Sequence, residues 1–164
     1  MSEISDTARV SVLLADFANV DGSGKLNLIG GGVAITVIDP QTGQTAPLSL
    51  VVLAAVDPKF VGQQYALEIG LYADDDGQLV TLPGPVASSP MRIAQPVSVQ
   101  SPTGQPGAYL PPGSVWPATQ MIVNFSGGLA LSAGRAYEWR ATIDTNIKAR
   151  TGLLVAGPPP LTFG

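Results

Sequence analysis

The run Asp74–Asp75–Asp76–Gly77 is the densest group of potential metal ligands in the chain. It follows an apolar segment, and loops in that position hold Ca²⁺ in C2-like sandwiches. Calcium takes about six to eight oxygens from several loops, so Asp39, Asp57 or Asp144 must converge on the run before a site exists. The same four residues also close a hairpin without any metal, because Asp-Gly suits the backbone angles of a tight turn. We carry the turn forward as the expectation, with no metal and no cofactor. Glu68 and Glu138, two of the three glutamates with Glu3, fall on segments whose alternate residues are apolar. They read as solvated-face residues rather than the carboxylate pair of a glycosidase. Gly22–Ser23–Gly24 and Gly30–Gly31–Gly32 have the glycine content of phosphate loops. Neither opens a helical segment, and no Gly-Lys-Ser/Thr follows, so turns and a bulge are the expectation.

There is no histidine and no cysteine. Imidazole general bases, imidazole-dependent triads, thiolate nucleophiles, zinc thiolates and disulfides are therefore excluded. Ser–Lys and carboxylate chemistry stay formally open, without a motif behind them. The aromatic residues offer another use. Trp139 alternates with apolar neighbours and is expected in the core, whereas Tyr109 and Trp116 lie in a proline-rich stretch and are free to touch a partner or a carbohydrate.

Charged residues make up 12% of the 164, about half the ~25% of an ordinary soluble domain. A compact monomer of 16.8 kDa exposes roughly 7,600 Å², and only 20 charged side chains (8 cationic and 12 anionic) are present to cover it. Such a surface is expected to be partly buried in an assembly. The net charge is −4 and the cations are scattered singly, which argues against nucleic acid. The start, MSEISDTARV, lacks the charged and apolar regions of a signal peptide. The longest strongly apolar run, Leu48 to Val56, is too short to span a bilayer. No membrane partner is expected, and synthesis is expected in the cytoplasm.

The elements that must position these residues are strands. No window keeps helical apolar spacing, and 34 residues (19 Gly and 15 Pro) punctuate the chain. Ala8–Phe17 and Leu48–Val56 are apolar on both faces and read as central strands. Lys25–Ile29 and Val33–Asp39 flank the triple glycine, and Leu13 to Gly32 as a whole has the signature of a hairpin with a loop longer than two residues. Tyr65–Leu71, Met121–Phe125 and Tyr137–Ile143 alternate as half-buried antiparallel strands do. A short strand is expected at Gly152–Val155. Ala133–Gly134–Arg135–Ala136–Tyr137 has the form of a corner tied by a tyrosine hydroxyl. Together these predict an all-β, Ig-like or C2-like antiparallel β-sandwich as a single domain over 1–164.

Two regions break the pattern. Leu82 to Pro117 holds nine prolines (Pro83, Pro85, Pro90, Pro96, Pro102, Pro106, Pro111, Pro112 and Pro117), so it reads as a Pro-rich insertion over 82–117. Only Met91–Ala94 and Val97–Gln100 are expected to pair at a sheet edge. The segment 157–164, with Pro158–Pro159–Pro160 and then Leu161 and Phe163, reads as a stiff arm with an apolar end.

Three pieces, LADFANVDGSGKLNLIGGG, LEIGLYADDDG and PPGSVWPATQMIVNFSGGLALSAGRAYEWRATID, resemble a family of uncharacterised β-sandwich proteins, a domain of unknown function, from bacteria and tailed phages. The resemblance implies a compact sandwich and carries over no catalytic residue. The Ala/Val/Gly/Pro-rich, Lys-poor composition fits a GC-rich genome, such as that of an actinobacterium or its phage. The expectation is a non-enzymatic virion protein, a capsid decoration or minor tail protein, that binds itself or other virion proteins. The contact residues expected are Tyr109, Leu110, Trp116, Leu161 and Phe163. The alternative is a carbohydrate- or Ca²⁺-binding sandwich that uses Trp116 and Tyr109 or the Asp74–Asp76 loop.

Overall fold

Burial alternates with a period of two along Gln64–Ala73 and Arg135–Ile143, and the strands of the sandwich sort into two layers. In a computed structural model that describes residues 2–104 and 107–157, the elements run in this order. A short helix α1 (Glu3–Thr7) precedes β1 (Arg9–Val20), β2 (Leu26–Gly31), β3 (Ile35–Val37) and β4 (Leu48–Ala55). A 3-10 turn at Pro58–Phe60 leads to β5 (Gln64–Ala73), β6 (Thr81–Leu82), β7 (Ser89–Pro90) and β8 (Arg92–Ser98). The chain closes with β9 (Ala118–Phe125), β10 (Arg135–Ile143) and β11 (Asn146–Ala156). One sheet has the order β2-β1-β4-β9 and the other β3-β11-β10-β5-β8, with β6–β7 a separate ribbon. The chain is an all-β sandwich, antiparallel except where β3 runs parallel to β11.

The core lies between the sheets. Leu14, Leu50 and Val52 meet Leu67, Ile69, Leu71, Trp139, Ile143 and Leu153, all essentially fully buried. Trp139 stacks on Phe125 with ring centroids 5.7 Å apart, a geometry that adds to the burial of both rings. The expected tyrosine corner is present: the Tyr137 hydroxyl accepts from the Ser132 backbone N–H at 2.9 Å.

β4 is buried on both faces, and the cause is the β1–β2 hairpin. Gly30 has φ +62, and it faces Asp16 so closely that a Cβ would lie 2.0 Å from the carboxylate. The paired strands bend there. Beyond the bend the Ala18 N–H donates to Ser49 Oγ at 3.1 Å, and the loop carbonyl of Gly24 accepts from Gln120 Nε2. Gln120 stands level with Ser11 through their common neighbour Leu53. The hairpin has therefore folded back across the outer face of its own sheet. Ala15, Ala18 and the outward-facing Val51 are closed off beneath it.

Several expectations change. α1 carries no periodic signal, since its stability comes from its ends: Ser2 Oγ caps Ser5 N–H and donates to Asp144, while Asn146 Nδ2 donates to Ser5 Oγ. The strand expected at Val33–Asp39 shrinks to β3, which leaves the first sheet for the second. The one expected at Gly152–Val155 extends to all of β11, because Asp144 and Thr145 both adopt positive φ and turn β10 directly into it. The two edge pieces expected around Pro96 are one strand. Pro96 sits opposite Ala66, while the residues that bond toward β5 are the odd-numbered ones, as Met91 and Val99 show. The missing proline donor therefore points away from the ladder.

Candidate interaction surface

Of the insertion over 82–117, part is framework: β8 closes the edge of the second sheet, and β6–β7 form the ribbon before it. The segment after Val99 crosses to the first sheet. Val99 and Pro117 at its ends are buried, and Val56 N–H donates to Pro117 O. Between them Tyr109 is 82% exposed and Leu110 40% exposed. Trp116 is half-buried, with the Arg9 guanidinium 4.2 Å from its ring centroid. Tyr109 and Leu110 are thus open to solvent, whereas Trp116 is held by a cation already and is less free than its place in the sequence implies. Leu161 and Phe163, with the arm over 158–164, lie outside the described residues.

A second apolar area was not foreseen. Phe17 and Ile29 are direct cross-strand partners on the folded hairpin and are 46% and 64% exposed. Ile35 of β3 is 63% exposed and adjoins the exposed Leu154 of β11. Asp16, Ile35 and Val37 border one depression, so the bend and the β3 edge form one corner. The apolar residues are visible in the sequence, but their exposure is not, because the fold-back and the crossover of β3 leave no local mark.

Half of the charged side chains form ion pairs. Glu138 takes Arg140 and, at 2.7 Å, Arg150; Arg140 also lies 4.3 Å from the Tyr72 ring centroid. The hydrogen bond from Arg140 outweighs the opposing effect of burial and, with a lesser one from Arg150, holds the Glu138 carboxyl below its ordinary value. Glu68 pairs with Arg92, and Lys59 with Glu3. Arg135 reaches Asp75 at 2.7 Å and Asp76 at 3.1 Å, and its hydrogen bond lowers the Asp75 carboxyl. Five of the eight cations are engaged in ion pairs. The acidic run is a hairpin turn in which Asp75 and Asp76 face Arg135, and among the described residues no three acidic side chains are grouped to hold a metal ion.

The edges of the two sheets, β8 and β9, leave a cleft of about 450 Å³ between them, bordered by Pro96, Ser98, Ala118 and Thr119. Tyr65 lines it as well. It is 3% exposed, and its hydroxyl is buried with no hydrogen-bond partner. Burial pushes that hydroxyl's pKa up, with the nearby Thr119 tempering the effect without reaching hydrogen-bonding geometry. Alternation places Tyr65 in the core correctly; nothing local reveals that its oxygen ends at a gap between two edges. Compared with known proteins, the chain matches no family model and no curated protein.

Proposed function

We propose that the chain is a non-enzymatic assembly module. It binds neighbouring subunits, further copies of itself or other virion proteins, through its exposed apolar residues and extended Pro-rich segments. The setting we propose is a tailed-phage particle, with the chain as a capsid decoration or minor tail protein, on the resemblance set out above.

The observation that carries this reading is how the surface is divided. Charged side chains are few and five of the eight cations are held in ion pairs, while thirteen large apolar side chains stand exposed among the described residues. Extended segments lose less entropy on docking than flexible ones, so proline-stiffened chain suits a clamp. The test is deletion of 157–164: association weakens while the melting temperature of the remaining sandwich is retained. Equal losses of both would mean that the arm belongs to the fold and not to a contact.

A further inference from the structure

We propose that the cleft between β8 and β9 receives the Leu161–Thr162–Phe163 segment of a second copy, which adds as a strand to the free edge of β9 and hydrogen-bonds the Tyr65 hydroxyl. The proposal rests on the assembly reading and names the receptor for the arm.

The cleft is built for extended chain. In β9 the odd-numbered residues bond toward β4, as Val56 N–H to Pro117 O shows. The backbone groups of Ala118 and Gln120 therefore point outward, and no loop among the described residues hydrogen-bonds to them. A free edge of this kind templates a further strand. Across the gap Pro96 removes a donor from the β8 edge, so β9 is the side that offers a ladder. Tyr65 supplies the third element. A hydroxyl buried without a partner costs free energy, and one that lines a cleft recovers it when a polar backbone arrives.

The position of the arm decides which copy supplies that backbone. Gly157 follows β11, whose Val155 lies opposite Arg135. Tyr137, two residues along β10, lies opposite Ala73. Gly157 thus lies beyond the Ala73 end of β5, whereas Tyr65 is eight residues from that end, about 26 Å, with two strand spacings, about 10 Å, to cross as well. Phe163 is six residues beyond Gly157 and reaches at most about 22 Å. It cannot fill the cleft of its own chain. Leu161 and Phe163 are two apart in the sequence, the spacing at which an added strand offers two apolar residues to one side.

The full chain is free of cysteine, which permits disulfide trapping between copies. Chains carrying Ser98→Cys and chains carrying Phe163→Cys are mixed under mild oxidation. Gln41→Cys, at the opposite end of the first sheet, replaces Ser98→Cys in the control. Docking raises the effective concentration of the two thiols, so the linked dimer forms about tenfold or more above the control. Tyr65→Phe keeps the melting temperature and weakens association by about threefold to tenfold, the worth of one hydrogen bond. If light scattering shows a multimer but trapping is equal at both positions or absent, the cleft assignment fails and the assembly reading stands. A monomer with no trapping overturns the cleft assignment and self-assembly together.

Discussion

The backbone N–H of Ala18 donates to the hydroxyl of Ser49, 31 residues away, at 3.1 Å, and the same hydroxyl donates to Asn124. One buried serine thus ties the folded hairpin to both β4 and β9. Ser49→Ala leaves the Ala18 N–H buried without a partner. The expected cost is about 2 kcal/mol, or a melting temperature lower by roughly 4–8 °C, with faster amide exchange confined to β1 beyond Asp16 and β2. An unchanged exchange pattern in the hairpin would show that the tie is not what holds it.

Gly30 and Gly128 separate two kinds of glycine requirement. Both have positive φ, +62 and +75. At Gly30 a Cβ meets the movable carboxylate of Asp16; at Gly128 it would lie 1.9 Å from the fixed carbonyl oxygen of Thr45. Gly30→Ala should cost about 1 kcal/mol, the left-handed backbone alone. Gly128→Ala should cost about 3 kcal/mol or more, since a buried backbone clash is added. Equal losses in urea denaturation would refute the distinction.

Arg9 over Trp116 joins the first strand to the last turn of the Pro-rich crossing. Arg9→Ala is expected to cost about 0.5–1 kcal/mol and to speed proteolytic cleavage between 99 and 117, with β1 otherwise intact. Cleavage at the wild-type rate would mean that the crossing is held by its buried ends, Val99 and Pro117, alone.

The Glu138 carboxyl is depressed below its ordinary value of 4.5 by Arg140 and Arg150. A group whose pKa is lower folded than unfolded stabilises the protein fully above its unfolded value, and that contribution is lost as pH falls below about 4.5 and through the folded value. Glu138→Gln should therefore flatten the acid limb of the stability curve and leave its shape near neutrality unchanged. Parallel acid limbs for the two proteins would contradict the assignment.

Much of the fold was legible because strand burial has a period of two. Tyr65–Leu71 and Tyr137–Ile143 show it plainly, and the double-faced apolar run of β4 signalled burial on both sides. What covers its outer face was not legible, because the fold-back depends on Gly30 meeting Asp16 and Ala18 meeting Ser49 across long separations. Proline misled at Pro96: it forbids a donor, but an edge strand has one side that needs none. In the Pro-rich crossing, the exposure of Tyr109 and Leu110 followed from their neighbours. The pinning of Trp116 did not, since nothing near either residue pairs position 9 with position 116.

The acidic turn gives a direct contrast between the two functional readings. With Asp75 and Asp76 engaged by Arg135, Ca²⁺ should leave the melting temperature unchanged. A Ca²⁺-dependent rise that Asp74→Ala/Asp76→Ala abolishes would favour the ligand-binding reading over assembly.

The most direct test of the central claim is light scattering on the full chain eluting from a size-exclusion column, repeated after limited proteolysis. The account predicts a multimer in which the crossing between Val99 and Pro117 and the arm over 157–164 are protected together. A monomer that is cut at both places and loses no mass beyond the cut segments would contradict self-assembly through these arms.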